Sequence, residues 1–348
     1  MSYHDQLLVP CPDLQADIFE IWRKDTKPRD PIPFLEYINS PANRNGIDMQ
    51  VAPGEGKVKT VNVTYTQRLP ESSVDEATER GCDVGDLRGN NSKDYTIDTN
   101  DLLQSKERIS AEHLARACKA NGQYVAEVIL RHMDVIDRKV ASRIGAEAAL
   151  LKGSYSADAV AAYSITNDIL EVSTKASGAY AIGAHVEIEQ VAQMSGFASA
   201  LMFGGSALSE YMKLTLAGCC ANQGLDVQEI YNLYGYSFAY DRRLAEALGS
   251  ALNANLIMEP GALQLLHYQQ TEWKRNIPIE LNSGYASFPM TTPAGVPVDV
   301  YIKDNCADVI DINVFANVKL VGLPEDLYPS GDNFEGVTYV GQVNVANS

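Results

Sequence analysis

One stretch constrains the fold more than any other, because residues 110–152 contain no proline. Ser110 is a good N-cap residue, and Glu112 follows it in the first turn. Apolar residues then recur at spacings of three and four, the pattern of a helix with one buried face. They are Val125, Ile129, Met133, Ile136, Val140 and Ile144. The sequence therefore predicts a helix of about 40 residues, roughly 60 Å long, with bends allowed at Gly122 and Gly145.

The first 53 residues hold seven of the 15 prolines. Each proline lacks a backbone N–H and fixes φ, so this stretch cannot form a long helix or a central strand. A short amphipathic helix is predicted after Asp13, because Leu14, Ile18 and Trp22 are spaced by four. Residues 1–45 are therefore interpreted as an N-terminal arm that lies on another surface, with these three side chains as its contact residues.

Residues 46–104 are predicted to form an extended β-ribbon. Val61, Val63 and Tyr65 alternate with polar residues, and a return strand is expected around Tyr95 and Ile97. A two-stranded ribbon alone is marginally stable, so we expect it to rest against a partner surface. The segment between the strands is polar, and its charged residues are candidates for contacts between subunits. They are Arg68, Glu71, Asp75, Glu76, Glu79, Arg80, Asp83, Asp86 and Arg88.

The rest of the chain mixes short helices and strands, which predicts an α+β (mixed α/β) fold. Helices are predicted at 184–194, 206–217, 242–252 and 260–270, the last because Pro260 suits a first helical position. Strands are predicted at 169–173, 256–258, 277–281 and 337–345. The alternating segments 298–302 and 310–314 predict a hairpin.

The charge balance argues against a dedicated nucleic-acid binder. The chain has 28 Lys and Arg against 45 Asp and Glu, a net charge of −17. A dedicated nucleic-acid binder needs clustered cations to neutralise phosphates. Segment 105–152 is locally basic, and we interpret this excess as a solvated helix face.

No motif for catalysis, phosphate binding or metal binding is present. Gly56-Lys57 lacks the rest of a phosphate-binding loop, and neither a dinucleotide fingerprint nor a nucleophile elbow occurs. The five histidines lack metal spacing, and the six cysteines include no C-x-x-C pair. The tyrosine-rich segment 231–240 could stack nucleic-acid bases on its rings, but the alternation of its aromatic residues favours a β-strand. The sequence predicts no cofactor, no metal and no enzyme, but a chain that uses its residues for contacts with other chains.

The order of these elements resembles the major capsid protein of tailed double-stranded DNA bacteriophages, the Hong Kong 97-type capsid fold. The segments NANLIMEPGALQLLHYQQTEW and GVPVDVYIKDNCADVIDINVFANVKLVGLP also look like such coat proteins. The resemblance implies six parts, here given with their residues. They are the N-terminal arm (1–45), the extended loop (46–104), the spine helix (105–152), the first part of the peripheral domain (153–182), the axial domain (183–295), and the peripheral return with the C-terminal strand (296–348).

The same resemblance implies a shell subunit that assembles with its own copies into hexamers and pentamers of an icosahedral head. Such a head encloses double-stranded DNA without sequence-specific binding, is located in the virion, and is assembled in the cytoplasm of the bacterial host. Implied partners are a separate scaffolding protein, a portal and head accessory proteins, with no membrane. Some relatives cross-link through the extended loop, and nothing selects among Lys57, Lys59 and Lys93 in this chain.

Two alternatives to the phage head stay open at this point. One is an encapsulin-like shell of a cellular nanocompartment, which has the same fold and encloses an enzyme cargo. The other is an enzyme whose site is formed only by tertiary geometry, in a pocket where polar groups converge.

Overall fold

The computed structural model describes fourteen segments of the chain. They are residues 20–21, 31–43, 47–51, 58–65, 91–110, 121–173, 175–176, 179–180, 183–197, 199–208, 236–269, 285–304, 309–322 and 340–346. Their helices are α1 (Pro33–Asn39), α2 (Asn121–Leu150), α3 (Ala157–Ala162), α4 (Gly183–Met194) and α5 (Arg242–Ala247).

The strands of these segments form five sheets, which confirms the α+β prediction. The sheet orders are β1-β2-β3, β10-β9-β11-β17-β6-β5, β13-β14-β15-β4, β12-β16 and β7-β8. The strands are β1 (Ile47–Val51), β2 (Val58–Tyr65), β3 (Asn91–Asp98), β4 (Leu103–Ser110), β5 (Ile165–Thr166), β6 (Ile169–Ser173), β7 (Lys175–Ala176), β8 (Ala179–Tyr180), β9 (Ala200–Gly204), β10 (Tyr236–Tyr240), β11 (Ala254–Met258), β12 (Leu263–His267), β13 (Tyr285–Thr291), β14 (Pro297–Asp304), β15 (Val309–Ala316), β16 (Val318–Gly322) and β17 (Val340–Ala346).

The long helix is confirmed over the 30 residues of α2, and all six residues of the predicted apolar stripe are buried. The implied spine-helix segment 105–152 is wrong at its start, because Leu103–Ser110 form strand β4. The role of Ser110 as N-cap stays a prediction, since an N-cap residue is itself extended and residues 111–120 lie outside the described segments. In β4 only Ile109 is buried, so the local pattern gives a weak strand signal. Pairing with β15, from Ser110 opposite Val309 to Leu103 opposite Ala316, decides the conformation.

The main core lies between α2 and the four-stranded sheet. Ile129 and Met133 of the helix share one buried cluster with Val300, Ile312 and Val314 of the sheet. Burial of the apolar stripe against this sheet is the main favourable contribution to the helix, because propensity alone contributes little. The predicted hairpin is confirmed, since β14 and β15 pair antiparallel.

A second core lies under the six-stranded sheet. Ile188 and Val191 of α4 pack with Leu170 of β6, Ile257 of β11 and Val343 of β17. The predicted helix 184–194 and the strands at 169–173, 256–258 and 340–345 are confirmed here. Predicted strand 277–281 and helical positions 209–217 lie outside the described residues.

Two predicted helices need correction. The helix predicted over 242–252 ends at Ala247, and the chain then turns at Gly249, whose φ is +109°. The helix predicted over 260–270 is wrong, because Leu263–His267 form strand β12. A turn at Gly261 (φ +87°) precedes this strand, which pairs antiparallel with β16.

The end of the predicted arm belongs to the core of its own chain. Phe34, Leu35 and Ile38 of α1 are buried, and the Phe34 ring meets the Phe203 ring edge-on at 5.5 Å between centroids. The backbone N–H of Phe34 donates to Asp241 Oδ2 at 3.1 Å. Residues 31–43 are therefore not an arm that rests on another surface, because their own chain buries their apolar side chains.

The β13–β14 turn is fastened to the middle of α2 by a buried carboxylate. Thr292 Oγ1 donates to Asp137 Oδ1, and the backbone N–H of Ala294 donates to Asp137 Oδ2 at 3.2 Å. Gly295 in this turn has φ +83°, and a Cβ there would lie 3.0 Å from Asn39 Cβ. The turn, the long helix and α1 are thus held in one arrangement.

Replacement of Asp137 by asparagine is expected to lower the free energy of unfolding by about 1–2 kcal/mol, because an amide NH₂ would face one of the two donors. Chemical denaturation of the purified subunit measures this loss. The matched control is Asp134→Asn, since Asp134 is half-exposed and forms only an i,i+4 pair with Arg138. Equal losses in both variants would contradict the assignment.

Candidate assembly surface

The residues predicted to contact neighbouring chains lie outside the described segments. This holds for Leu14, Ile18 and Trp22 of the arm and for all nine charged residues of the ribbon tip, from Arg68 to Arg88. The structure does describe the base of the ribbon, meaning strands β1, β2 and β3 and the loop 99–102. The geometry of this base decides how the ribbon is attached to the molecule.

The base of the ribbon is an antiparallel sheet in the order β1-β2-β3. The predicted alternation is confirmed on β2, where Val61 (2% exposed) and Val63 (0%) are buried. On the polar face, Asn62 Nδ2 donates to Asp94 Oδ1 at 2.8 Å. One face of the ribbon is therefore apolar and has to be covered.

The same chain supplies the cover. Val61, Val63 and Ile97 form a small buried cluster with Leu266 of β12 and Val321 of β16. The prediction that the ribbon rests on a partner surface is therefore wrong for its base. The sequence could not show this cover, because β12 and β16 follow the ribbon by well over 100 residues.

Three hydrogen bonds also tie β3 to the segment 317–322. In each, a side chain of one segment donates to a backbone carbonyl oxygen of the other. The bonds run from Tyr95 Oη to Gly322 (2.8 Å), from Asn317 Nδ2 to Asp98 (2.8 Å) and from Lys319 Nζ to Thr96 (3.0 Å). We name Tyr95, Asn317 and Lys319 the ribbon clamp.

The long helix α2 supports both sides of the clamp. Glu147 Oε2 accepts the backbone N–H of Leu320 in β16 at 2.6 Å, and Glu147 Oε1 accepts from Arg143 Nε at 3.1 Å. Arg143 also forms a bidentate pair with Asp101 in the loop after β3. The ribbon base is thus attached to the 30-residue helix α2.

Two of the three described histidines, His132 and His185, are buried. His132 lies between α2 and β4, where Nδ1 is 2.6 Å from Ser105 Oγ and Nε2 is 3.1 Å from Glu107 Oε2. Burial lowers the pKa of His132, while Glu107 acts in the opposite direction. His185 in α4 is fully buried, and burial lowers its pKa to about 4. Both residues therefore pack inside the fold.

The buried carboxylate of Asp241 has a structural role. Asp241 caps α5 by accepting the N–H of Leu244 at 3.0 Å, in addition to the bond from Phe34. Burial raises the pKa of Asp241, and its backbone hydrogen bonds act against this shift. Across the described residues, no three His, Cys, Asp or Glu side chains are grouped as a metal site would require. Nor do these residues contain a helix with the length and apolar character needed to cross a bilayer.

The aromatic segment 231–240 is described from Tyr236 onwards and forms strand β10, parallel to β9. Phe238 is buried, whereas Tyr240 is 39% exposed. The strand interpretation is confirmed. The alternation of buried and exposed aromatic residues is explained by a strand with one buried face. The pattern therefore gives no support to base stacking.

The clamp residues were missed by sequence reasoning. Tyr95 was assigned only as part of a strand, and Asn317 and Lys319 carried no signal. Their partners are backbone carbonyl groups between 219 and 227 positions away in the chain. A carbonyl oxygen is present at every residue, so no residue pattern could indicate which one would be the acceptor.

No family model and no curated protein matches this sequence, but solved structures do match it. A structure from Mycobacterium phage Adephagia is 13% identical, covers 93% of this chain and 92% of its own, and has a TM-score of 0.47. The mature capsid of bacteriophage PhiM1 is 11% identical, with 84% and 83% covered and a TM-score of 0.41. The capsid of Cyanophage P-SCSP1u is 10% identical, with 85% and 86% covered and a TM-score of 0.40.

Proposed function

We propose that this chain is the major capsid subunit of a tailed double-stranded DNA phage and has the Hong Kong 97-type fold. In this proposal, copies assemble into hexamers and pentamers of an icosahedral head that encloses DNA. The observation that carries the proposal is the anchored ribbon. Its base is fixed to the subunit, while a long charged segment connects its two strands at the other end.

The strand pairing defines where that segment starts and ends. β2 and β3 pair from Val58 opposite Asp98, beside the clamp, to Tyr65 opposite Asn91. The connecting residues 66–90 therefore join the ribbon at the end farther from the clamp. A 25-residue connection is far longer than the 2–5 residues, roughly, of an ordinary hairpin loop, and long loops of this kind are frequently binding loops.

The contacts between copies are assigned to the tip and the arm. The tip residues from Arg68 to Arg88 include both signs of charge, six acidic and three basic, which suits contacts that set the register between subunits. Leu14, Ile18 and Trp22 would place the apolar side of the arm on another copy. Head-to-tail contacts between two different patches of each copy generate closed rings.

The other partners follow from the same proposal. They are a separate scaffolding protein, a portal and head accessory proteins, with assembly in the bacterial cytoplasm and a final location in the virion. The net charge of −17 suits a container that confines DNA without binding it tightly, because like charges repel.

Electron microscopy of the purified protein tests the proposal. Closed polyhedral shells are the expected result, and small discrete particles at all concentrations would overturn it. The contents of shells purified from the native source distinguish the two kinds of container. Double-stranded DNA is expected for the phage head, whereas an enzyme cargo would identify a cellular nanocompartment.

Reversing the charge of Glu71, Asp75 and Glu76 to lysine in one chain is expected to lower the yield of closed shells about tenfold, because like charges would meet across the subunit contact. Quantitative electron microscopy measures the yield, and thermal unfolding verifies that the subunit folds. The charge-preserving control is Glu71→Asp, Asp75→Glu and Glu76→Asp. A normal yield from the reversed variant would exclude the tip as a contact.

A further inference from the structure

The ribbon is attached to its subunit by a small and well-defined set of contacts. Its apolar face is covered by Leu266 and Val321, and the three clamp bonds all involve the last four residues of β3, Tyr95 to Asp98. The receiving strand β16 is itself bonded to α2 through Glu147. The direction of the ribbon is therefore set by contacts within one subunit.

The clamp side chains contribute polar contacts beside the main core. Ala316, Val318 and Leu320, which flank Asn317 and Lys319 in the chain, belong to the buried apolar cluster of that core and are not changed when the clamp donors are removed. The bonds from Tyr95 and Asn317 join neutral groups and each contributes modestly, and the charged donor Lys319 forms its bond at an exposed position, where water competes with it. Removing the three donors together is therefore expected to loosen the ribbon base, which Leu266 and Val321 still cover, and to leave the body folded.

A small rotation at the clamp has a large effect at the far end of the ribbon. The eight residues of β2 span roughly 25 Å at ~3.3 Å per residue. A rotation of about 10° at the clamp would move the far end by roughly 4 Å, which exceeds the tolerance of a hydrogen bond or an ion pair. The direction of the ribbon base thus determines which neighbouring surface the tip can contact.

We propose that Tyr95, Asn317 and Lys319 are positioning residues that hold the ribbon in one direction on the unassembled subunit and thereby determine the size of the shell. The part that concerns shell size rests on the proposed function. The part that concerns the direction of the ribbon does not, because it follows from contacts inside one chain.

The test compares the full-length chain with a clamp variant that carries Tyr95→Phe, Asn317→Ala and Lys319→Met. The matched control is Asn62→Ala, which removes a hydrogen bond of equal length, to Asp94, on the polar face of the same ribbon. Hydrogen–deuterium exchange of the unassembled subunit reports on β2 and β3, because a ribbon base held by fewer contacts opens more often even with Leu266 and Val321 still in place. Electron microscopy reports the distribution of shell diameters. If the triple variant does not fold, the single variant Tyr95→Phe takes its place in both measurements.

In the clamp variant, amide exchange in β2 and β3 is expected to accelerate about tenfold or more relative to wild type, with little change in α2. Shells of the wild-type diameter are expected to be replaced by a mixture of sizes, while the control stays like wild type. Unchanged exchange in β2 and β3 would show that the clamp does not hold the ribbon. Faster exchange with wild-type shell diameters would refute the role in shell size. If wild-type protein forms no shells, the proposed function and the role in shell size fail together. Amide exchange in β2 and β3 then still tests whether the clamp holds the ribbon.

Discussion

Replacement of Gly204 by alanine is expected to lower the free energy of unfolding by about 3 kcal/mol or more. Gly204 ends β9 inside the six-stranded sheet, where it pairs with Tyr240 of β10 on one side and Asn255 of β11 on the other. A Cβ at this position would lie 2.5 Å from Asn255 Cα and 2.6 Å from the carbonyl oxygen of Ala254. These are backbone atoms, so the sheet itself would have to separate.

The loss is large on the scale of the whole fold, since domains are stable by only roughly 5–15 kcal/mol. Denaturant unfolding of the purified subunit measures it, and a low yield of soluble protein is expected to accompany it. The matched control is Gly322→Ala in β16, where the added Cβ would meet only Leu151 Cδ2 at 3.7 Å. If the two variants unfolded at the same denaturant concentration, the close approach of β9 and β11 would not be a constraint.

Acidification is expected to destabilise the subunit through His185. Burial lowers the pKa of His185 from 6.5 to about 4, and His185 on α4 is fully buried. The unfolded chain therefore binds a proton near pH 6.5, whereas the folded chain resists it until about pH 4. Stability from this residue is fully present above pH 6.5 and is lost as the pH falls toward 4, by about 3 kcal/mol at pH 4.

The measurement is the free energy of unfolding from denaturant titrations at several pH values between 7.5 and 4. Carboxylates also titrate in this range, but they contribute equally to wild type and to His185→Asn, so the difference between the two isolates the histidine. His132→Asn is the matched control, because Glu107 opposes the effect of burial there and a smaller difference is expected. Parallel pH curves for wild type and His185→Asn would refute the assignment.

In the ribbon, the sequence pattern predicts the strand but not the surface that covers it. Alternation at Val61 and Val63 correctly predicted β2, because a strand with one buried face repeats every second residue. The same pattern could not show what covers that face, and the expected partner surface is replaced at the base by Leu266 and Val321. The contact roles of the tip and of Leu14, Ile18 and Trp22 stay predictions.

The errors share one origin. Segment 260–270 has the proline and the apolar residues of a helix, yet Leu263–His267 pair with β16. Residues 105–110 belong to the spine-helix segment that the resemblance implies, yet they pair with β15, more than 190 residues away. In both cases a distant strand determined the conformation, since tertiary context overrides weak local preferences.

The sequence by itself determined the long helix, the strands of the ribbon and the hairpin β14–β15, because each buries one face and the period of its apolar residues records that face. Only the tertiary structure decided that β12 and β4 are strands, that Asp137 fastens a turn, and that Tyr95, Asn317 and Lys319 clamp the ribbon. These features depend on backbone groups brought together from distant parts of the chain, and backbone groups are the same at nearly every position, so they leave no pattern in the order of side chains.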